Sequence, residues 1–238
     1  MHPLIRTARA TGLLYLGLAI SGGLGFLLIR PQLFVADDAG ATLTRLVEHG
    51  SLARVGIALE LLLVLTQALT AVWFYRLFRT VDSVAAGSIA AFGMANAIAI
   101  LGSAALLGTA AEVARTPVGD AAVTAQLLYL VSGNLWTVGA IFFGLWLIPM
   151  GRCVHRSGWM PRFLGWLLVV GGVGYVLSAF VGYLAPGAGM IADVLTVPAS
   201  VGEFWMIGYL LVRGVRAQAL PGSPRAATVP PLPTGSPG

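Results

Sequence analysis

Six apolar stretches recur along this chain. An α-helix rising about 1.5 Å per residue needs roughly 20 such residues to cross a hydrocarbon core about 30 Å thick. The stretches run from about Thr11 to Ile29, Leu52 to Tyr75, Val84 to Leu107, Ala122 to Pro149, Phe163 to Leu184 and Val194 to Val212. In lipid only helices and closed barrels satisfy every backbone N–H and C=O internally. Barrel strands would alternate apolar and polar residues with a period of two, and these runs do not. The expected fold class is all-α, a polytopic membrane bundle of six transmembrane helices. Charged residues make up 10% of the chain, against about 25% in an ordinary soluble domain.

Residues 1–216 read as one six-helix transmembrane domain. Beyond them Pro221, Pro224, Pro230, Pro231, Pro233 and Pro237 punctuate a stretch poor in large apolar residues, so 217–238 reads as a disordered proline-rich cytoplasmic tail. The longest connection runs from Arg30 to Ser51, where Ala41, Leu43, Leu46 and Val47 fall at a loosely helical spacing that suits a short interfacial helix. The other connections are short, which implies helical hairpins packed as sequence neighbours.

Orientation follows from arginine, since all 14 basic residues are Arg. Arg6, Arg9, Arg76, Arg79, Arg152, Arg156, Arg162, Arg213, Arg216 and Arg225 fall on one side. Arg30, Arg45, Arg54 and Arg115 fall on the other, with Asp37, Asp38, Glu48, Glu112, Asp120 and Asp193. The arginine-rich side is expected to be cytoplasmic, which puts both termini in the cytoplasm. Trp73, Trp146, Trp159 and Trp166 all fall near that side, where indoles favour the interface.

Several function classes are disfavoured by what the chain carries. The first apolar run exceeds a secretory h-region, and no small-x-small cleavage site follows it closely. A net charge of +5 is spread around membrane edges rather than gathered in one basic patch, so membrane lipids are expected partners and nucleic acid is not. The lone Cys153 excludes an internal disulfide, and with His155 it makes only a two-residue metal pair lacking a third ligand nearby. No histidine lies inside a predicted span, so neither haem nor a His-rich metal site is expected, and no cofactor.

Small residues mark where backbones approach. Gly87, Ala91, Ala95, Ala99 and Ser103 follow at steps of four along the third span, which predicts a central position for it. Gly17, Ser21 and Gly25 repeat the idea on the first span, and Gly174, Ser178 and Gly182 on the fifth. The runs Gly22 to Gly25 and Gly171 to Gly174 lie inside apolar spans and lack the strand-turn-helix setting of a nucleotide site.

Candidate chemistry rests on residues that hydrocarbon disfavours. Glu60 and Glu203 are intramembrane carboxyls, each carrying an insertion penalty of roughly 2.5 to 3.5 kcal/mol at mid-helix. Counted back from Arg76 and Arg213, their depths differ by about 9 Å, which argues against direct pairing. Gln67 shares a face with Glu60, Asn96 and Asn134 could supply amide donors from neighbouring spans, and Arg54 is a candidate charge partner. These six residues are the candidate ligand-binding set; no catalytic or metal-binding residue is assigned.

The stretches Arg9 to Leu16, Arg156 to Gly165 followed by Gly172 to Tyr175, and Gly202 to Gly214 resemble a bacterial multi-pass membrane family, number 4386 among the domains of unknown function. The resemblance spans about residues 6 to 216 and implies six helices and an inner-membrane location, with no established activity. By the same resemblance, Arg54 and Glu60 fall where the family tends to carry an arginine and an acidic residue. The position near Trp146 departs from it, being often another polar or aromatic residue in the family.

Three function classes follow. The first is a binder or transporter of a small solute, proton or lipid, using an intramembrane polar pocket. The second is a structural or accessory membrane protein in which the carboxyls fix helix register. The third, a lipid-modifying enzyme, lacks any nucleophile-base pair or phosphate-binding motif to support it.

Overall fold

A computed structural model describes residues 3–185 and 187–215; the proline-rich stretch 217–238 lies outside them. The described residues are helical, without strands. The first span, Pro3–Leu33, is continuous and comprises α1 (Pro3–Gly22), a π-helical segment (Gly23–Ile29) and α2 (Arg30–Leu33). After the short α3 (Ala39–Glu48) come α4 (Gly50–Phe78), α5 (Ser83–Arg115), α6 (Ala121–Ser157), α7 (Arg162–Leu184) and α8 (Gly189–Val212). Six helices are long and apolar enough to cross a membrane, so this is a multi-pass membrane protein.

Aspartates fix three helix starts. The carboxylates of Asp38, Asp82 and Asp120 accept from the first free N–H groups of α3, α5 and α6, which no intrahelical carbonyl can reach. At the other end of α6, Gly158 adopts φ 65° and closes the helix, a conformation that glycine enters without a Cβ clash. Trp159 then stacks on Phe78, and its carbonyl accepts from Tyr209 at 3.0 Å. Pro161 caps α7 from just outside it. The arginine-serine-glycine-tryptophan sequence is thus a tight corner joining α6, α7 and α8.

Two spans run further than their prolines suggest. A proline inside a helix forfeits one hydrogen bond, to the carbonyl four residues back. Packed neighbours sustain α6 through Pro149 to Ser157 and α8 through Pro198. This relocates Trp146. It lies about 16 Å from the end of α6, fully buried and edge-on to Tyr15 and Phe74, not at the interface. Cys153 is likewise buried in the same core and does not face the solvent, while Trp166 is exposed.

Sequence neighbours pack in turn, α4 on α5, α5 on α6, α6 on α7 and α7 on α8, and α1 closes the ring by packing on both α4 and α8. The interior is filled by Tyr15, Phe74, Trp146 and their neighbours. The outer belt keeps large apolar side chains exposed, among them Leu27, Ile98 and Phe204, because lipid is their solvent. α3 sets Leu46 and Thr42 inward and caps a second core with Leu33 and Tyr129.

The closest helix contacts are made by glycines of α6 and α7. A Cβ on Gly144 would lie 2.5 Å from the Gly172 carbonyl, and one on Gly151 2.5 Å from that of Gly165. On α7, Gly171 and Gly174 face the α8 backbone at Ala199 and Leu195, whereas Gly182 meets nothing. The predicted stripe on α5 holds only at its Ser103 end, for Ala91 is exposed and Gly87 meets no neighbour. Four residues advance a helix by about 40° beyond a full turn, so steps of four drift off a face. The buried face instead runs through Ile89, Gly93, Asn96, Ile100 and Ser103.

Candidate functional site

Arg30 sits where the first span would be expected to have left the membrane. Pro31 has no N–H and its ring would clash with the carbonyl of Leu27 in a regular α-helix. The chain widens to a π-helical turn, with the Arg30 N–H donating to the Gly25 carbonyl. The side chain, 10% exposed, then lies between α4 and α6. It donates to Ser132 Oγ at 3.0 Å and to the Tyr129 carbonyl at 2.7 Å, and stands over the rings of Phe26 and Tyr129.

Glu60 faces it across 4.0 Å, its side chain 5% exposed. Its carboxylate accepts from Ser103 at 2.9 Å and from the Trp136 indole N–H at 3.3 Å. Ser103 and Ser132 share a 2.7 Å bond, which closes a network across four spans. A cavity of about 10 Å³ borders the pair, lined by Arg30, Glu60, Tyr129 and apolar neighbours. That is room for about one water.

Two further polar groups lie deeper. Asn96 donates to the Gln67 carbonyl oxygen at 3.5 Å, both residues buried. Gln67 Nε2 and Thr70 Oγ1 find no partner among the described residues. Glu203 is half-buried on α8 and accepts from the Tyr15 hydroxyl. Tyr15 packs on Phe74, about 21 Å along α4 from Glu60. The two carboxylates therefore occupy separate centres.

Of the six candidate residues, Glu60 anchors the network, Gln67 and Asn96 form a neighbouring pair, and Glu203 stands apart. Arg54 and Asn134 are corrections. Arg54 is exposed: six residues from Glu60 rotate it about 120° off that face, and Arg30 takes the charge-partner role. Asn134 is exposed and meets only Tyr183, at 3.4 Å. It lies midway between Ser132 and Trp136, which share the inward face of α6, so it points away. Sequence reading missed Arg30, Ser103, Ser132, Trp136 and Tyr15.

Outside the spans, Asp82 joins α5 to α6. Its carboxylate caps Ala85 and accepts from Arg152 Nε at 2.9 Å and Arg156 Nη1 at 2.7 Å. The Ala85 N–H first, and then the two guanidiniums, hold its pKa down at about 2. A carboxyl depressed on folding stabilises fully above its unfolded pKa of about 4, and that contribution is lost as pH falls through the folded value. The melting-temperature difference between wild type and Asp82→Asn should be constant above pH about 4 and shrink toward zero near pH about 2. A difference independent of pH throughout would refute the coupling.

The chain is 38% identical over 45 residues to an uncharacterized protein of Archaeoglobus fulgidus, a match covering 19% of this chain and 28% of that protein's length. No solved structure matches it. A family match, by contrast, covers residues 10–214, nearly all of the helical bundle, and so the chain belongs to the family described as Domain of unknown function (DUF4386).

Proposed function

We propose that this protein binds and passes a small polar solute, a proton in the first instance, at the Arg30–Glu60 centre. The observation that carries this reading is an ion pair enclosed by four spans beside a water-sized cavity. Intramembrane charges are expensive to insert and mark ion and proton pathways. The cavity limits the solute to about the size of one water. In proteoliposomes enclosing a pH-sensitive dye, wild type is expected to dissipate an imposed pH gradient and Glu60→Gln to fall to the rate of empty vesicles. Equal rates for both, with Glu60→Gln only less stable, would leave the pair as a clamp on helix register and sink the proton reading.

We further propose an inner-membrane location with both termini cytoplasmic. Ten arginines lie on the terminal side in sequence. Of the four assigned to the opposite side, Arg30 is folded into the bundle, so three remain there to set topology, which strengthens the asymmetry. On a Cys153→Ser background, Val118→Cys should react with a membrane-impermeant maleimide in intact cells and Thr80→Cys only after permeabilisation. The reverse pattern would invert the topology.

A further inference from the structure

Between α5 and α6, on the terminal side, lies a groove of about 320 Å³, within the size range of small-ligand sites. Its walls are mainly apolar, with Val84, Phe92, Leu145 and Ile148 below and Asp82 and Arg152 at the mouth. Asp82 Oδ2 accepts from both Arg152 and Arg156, while Oδ1 accepts from the Ala85 N–H. One anion therefore meets two cations, Arg152 lining the groove and Arg156 beside it on the same carboxylate, which leaves one net positive charge there. Arg152 spends only Nε on Asp82 and Arg156 only Nη1, and their side chains are 59% and 55% exposed. The other guanidinium N–H groups make no bond to Asp82 and are left for a further acceptor.

The geometry points to an anionic phospholipid in this groove, its phosphate on Arg152 and Arg156 and the start of an acyl chain along Phe92, Leu145 and Ile148. Charge complementarity selects this occupant. A neutral hydrocarbon would leave the guanidiniums unused, and a free anion would leave the apolar walls uncovered. Guanidinium binds phosphate through paired, charge-assisted hydrogen bonds. Asp82 acts as a positioning residue, holding two flexible side chains at one edge of the groove. The site shares no residue with the Arg30–Glu60 centre and stands or falls independently of it.

The test is native mass spectrometry of the full chain released from micelles doped with equal phosphatidylglycerol and phosphatidylcholine. Wild type is expected to retain phosphatidylglycerol over phosphatidylcholine by about tenfold: both offer the phosphate, but phosphatidylcholine adds a quaternary ammonium that the net positive charge of the two arginines repels. Arg152→Gln with Arg156→Gln should erase that preference. Ile148→Trp, which fills the groove and keeps both arginines, should release the lipid while circular dichroism stays unchanged; it decides the matter if the double variant fails to fold. Equal retention of both lipids by wild type, or unchanged retention by Ile148→Trp, overturns the proposal. So does a wild-type dimer that Ile148→Trp dissociates, which would assign the groove to a second copy.

Discussion

Replacing Arg30 with alanine is expected to destabilise the protein by about 3 to 5 kcal/mol, the usual consequence of removing one partner from a buried ion pair. The loss exceeds that of a surface arginine because three things fail together. Glu60 keeps its bonds to Ser103 and Trp136 but loses its cation. Ser132 and the Tyr129 carbonyl lose their donor, and the rings of Phe26 and Tyr129 lose the charge above them. Unfolding by denaturing detergent, monitored by circular dichroism, measures the change. Arg54→Ala is the control; it is exposed and should stay within about 0.5 kcal/mol of wild type. Arg30→Met combined with Glu60→Leu should recover most of the loss, since well-packed apolar residues often replace a buried pair without penalty. If Arg30→Ala matched Arg54→Ala, the ion pair would have no structural role.

Gly171→Leu is expected to leave no assembled bundle, and Gly171→Ala to destabilise it by about 1 to 3 kcal/mol through overpacking. The obstacle is the backbone of α8: any Cβ on Gly171 meets the N and Cα of Ala199, which no rotamer change can move aside. Helix α8 would have to retreat from α7, taking Glu203 away from Tyr15. Gly182→Ala, on the same helix, meets nothing and should be neutral or stabilising by up to about 1 kcal/mol, the helix-propensity gain of alanine over glycine. Thermal melts of the three variants in one detergent decide it, and equal melting of Gly171→Ala and Gly182→Ala would refute the close approach.

How much of this was legible depends on the range of each interaction. The short helix around Leu46 was readable because its pattern is local. Arg30 was not, because a charge at the end of an apolar run before a proline reads as a loop, and only the π-helical turn brings it inward. Two corrections concern helical phase: six residues turn Arg54 off the face of Glu60, which phase alone shows, whereas Asn134 points outward because the opposite face of α6 carries Ser132 and Trp136 to Ser103 and Glu60. A third followed from ending the fourth span at Pro149, which made Trp146 look interfacial although α6 continues to Ser157. The steps-of-four stripe on α5 failed for the geometric reason that it drifts around the helix.

Six spans, all helical, follow from the amino-acid sequence without the fold, because a bilayer imposes length and hydropathy on each segment separately. The sequence also supplied the carboxyls and the asymmetry of arginine. Which polar groups meet is a matter of how the helices pack. Pairing Arg30 with Glu60, Asn96 with Gln67 and Tyr15 with Glu203 depends on the rotation and relative depth of helices distant in the chain. Those are set by a few backbone contacts at glycines and by one π-helical turn, neither of which leaves a mark on hydropathy.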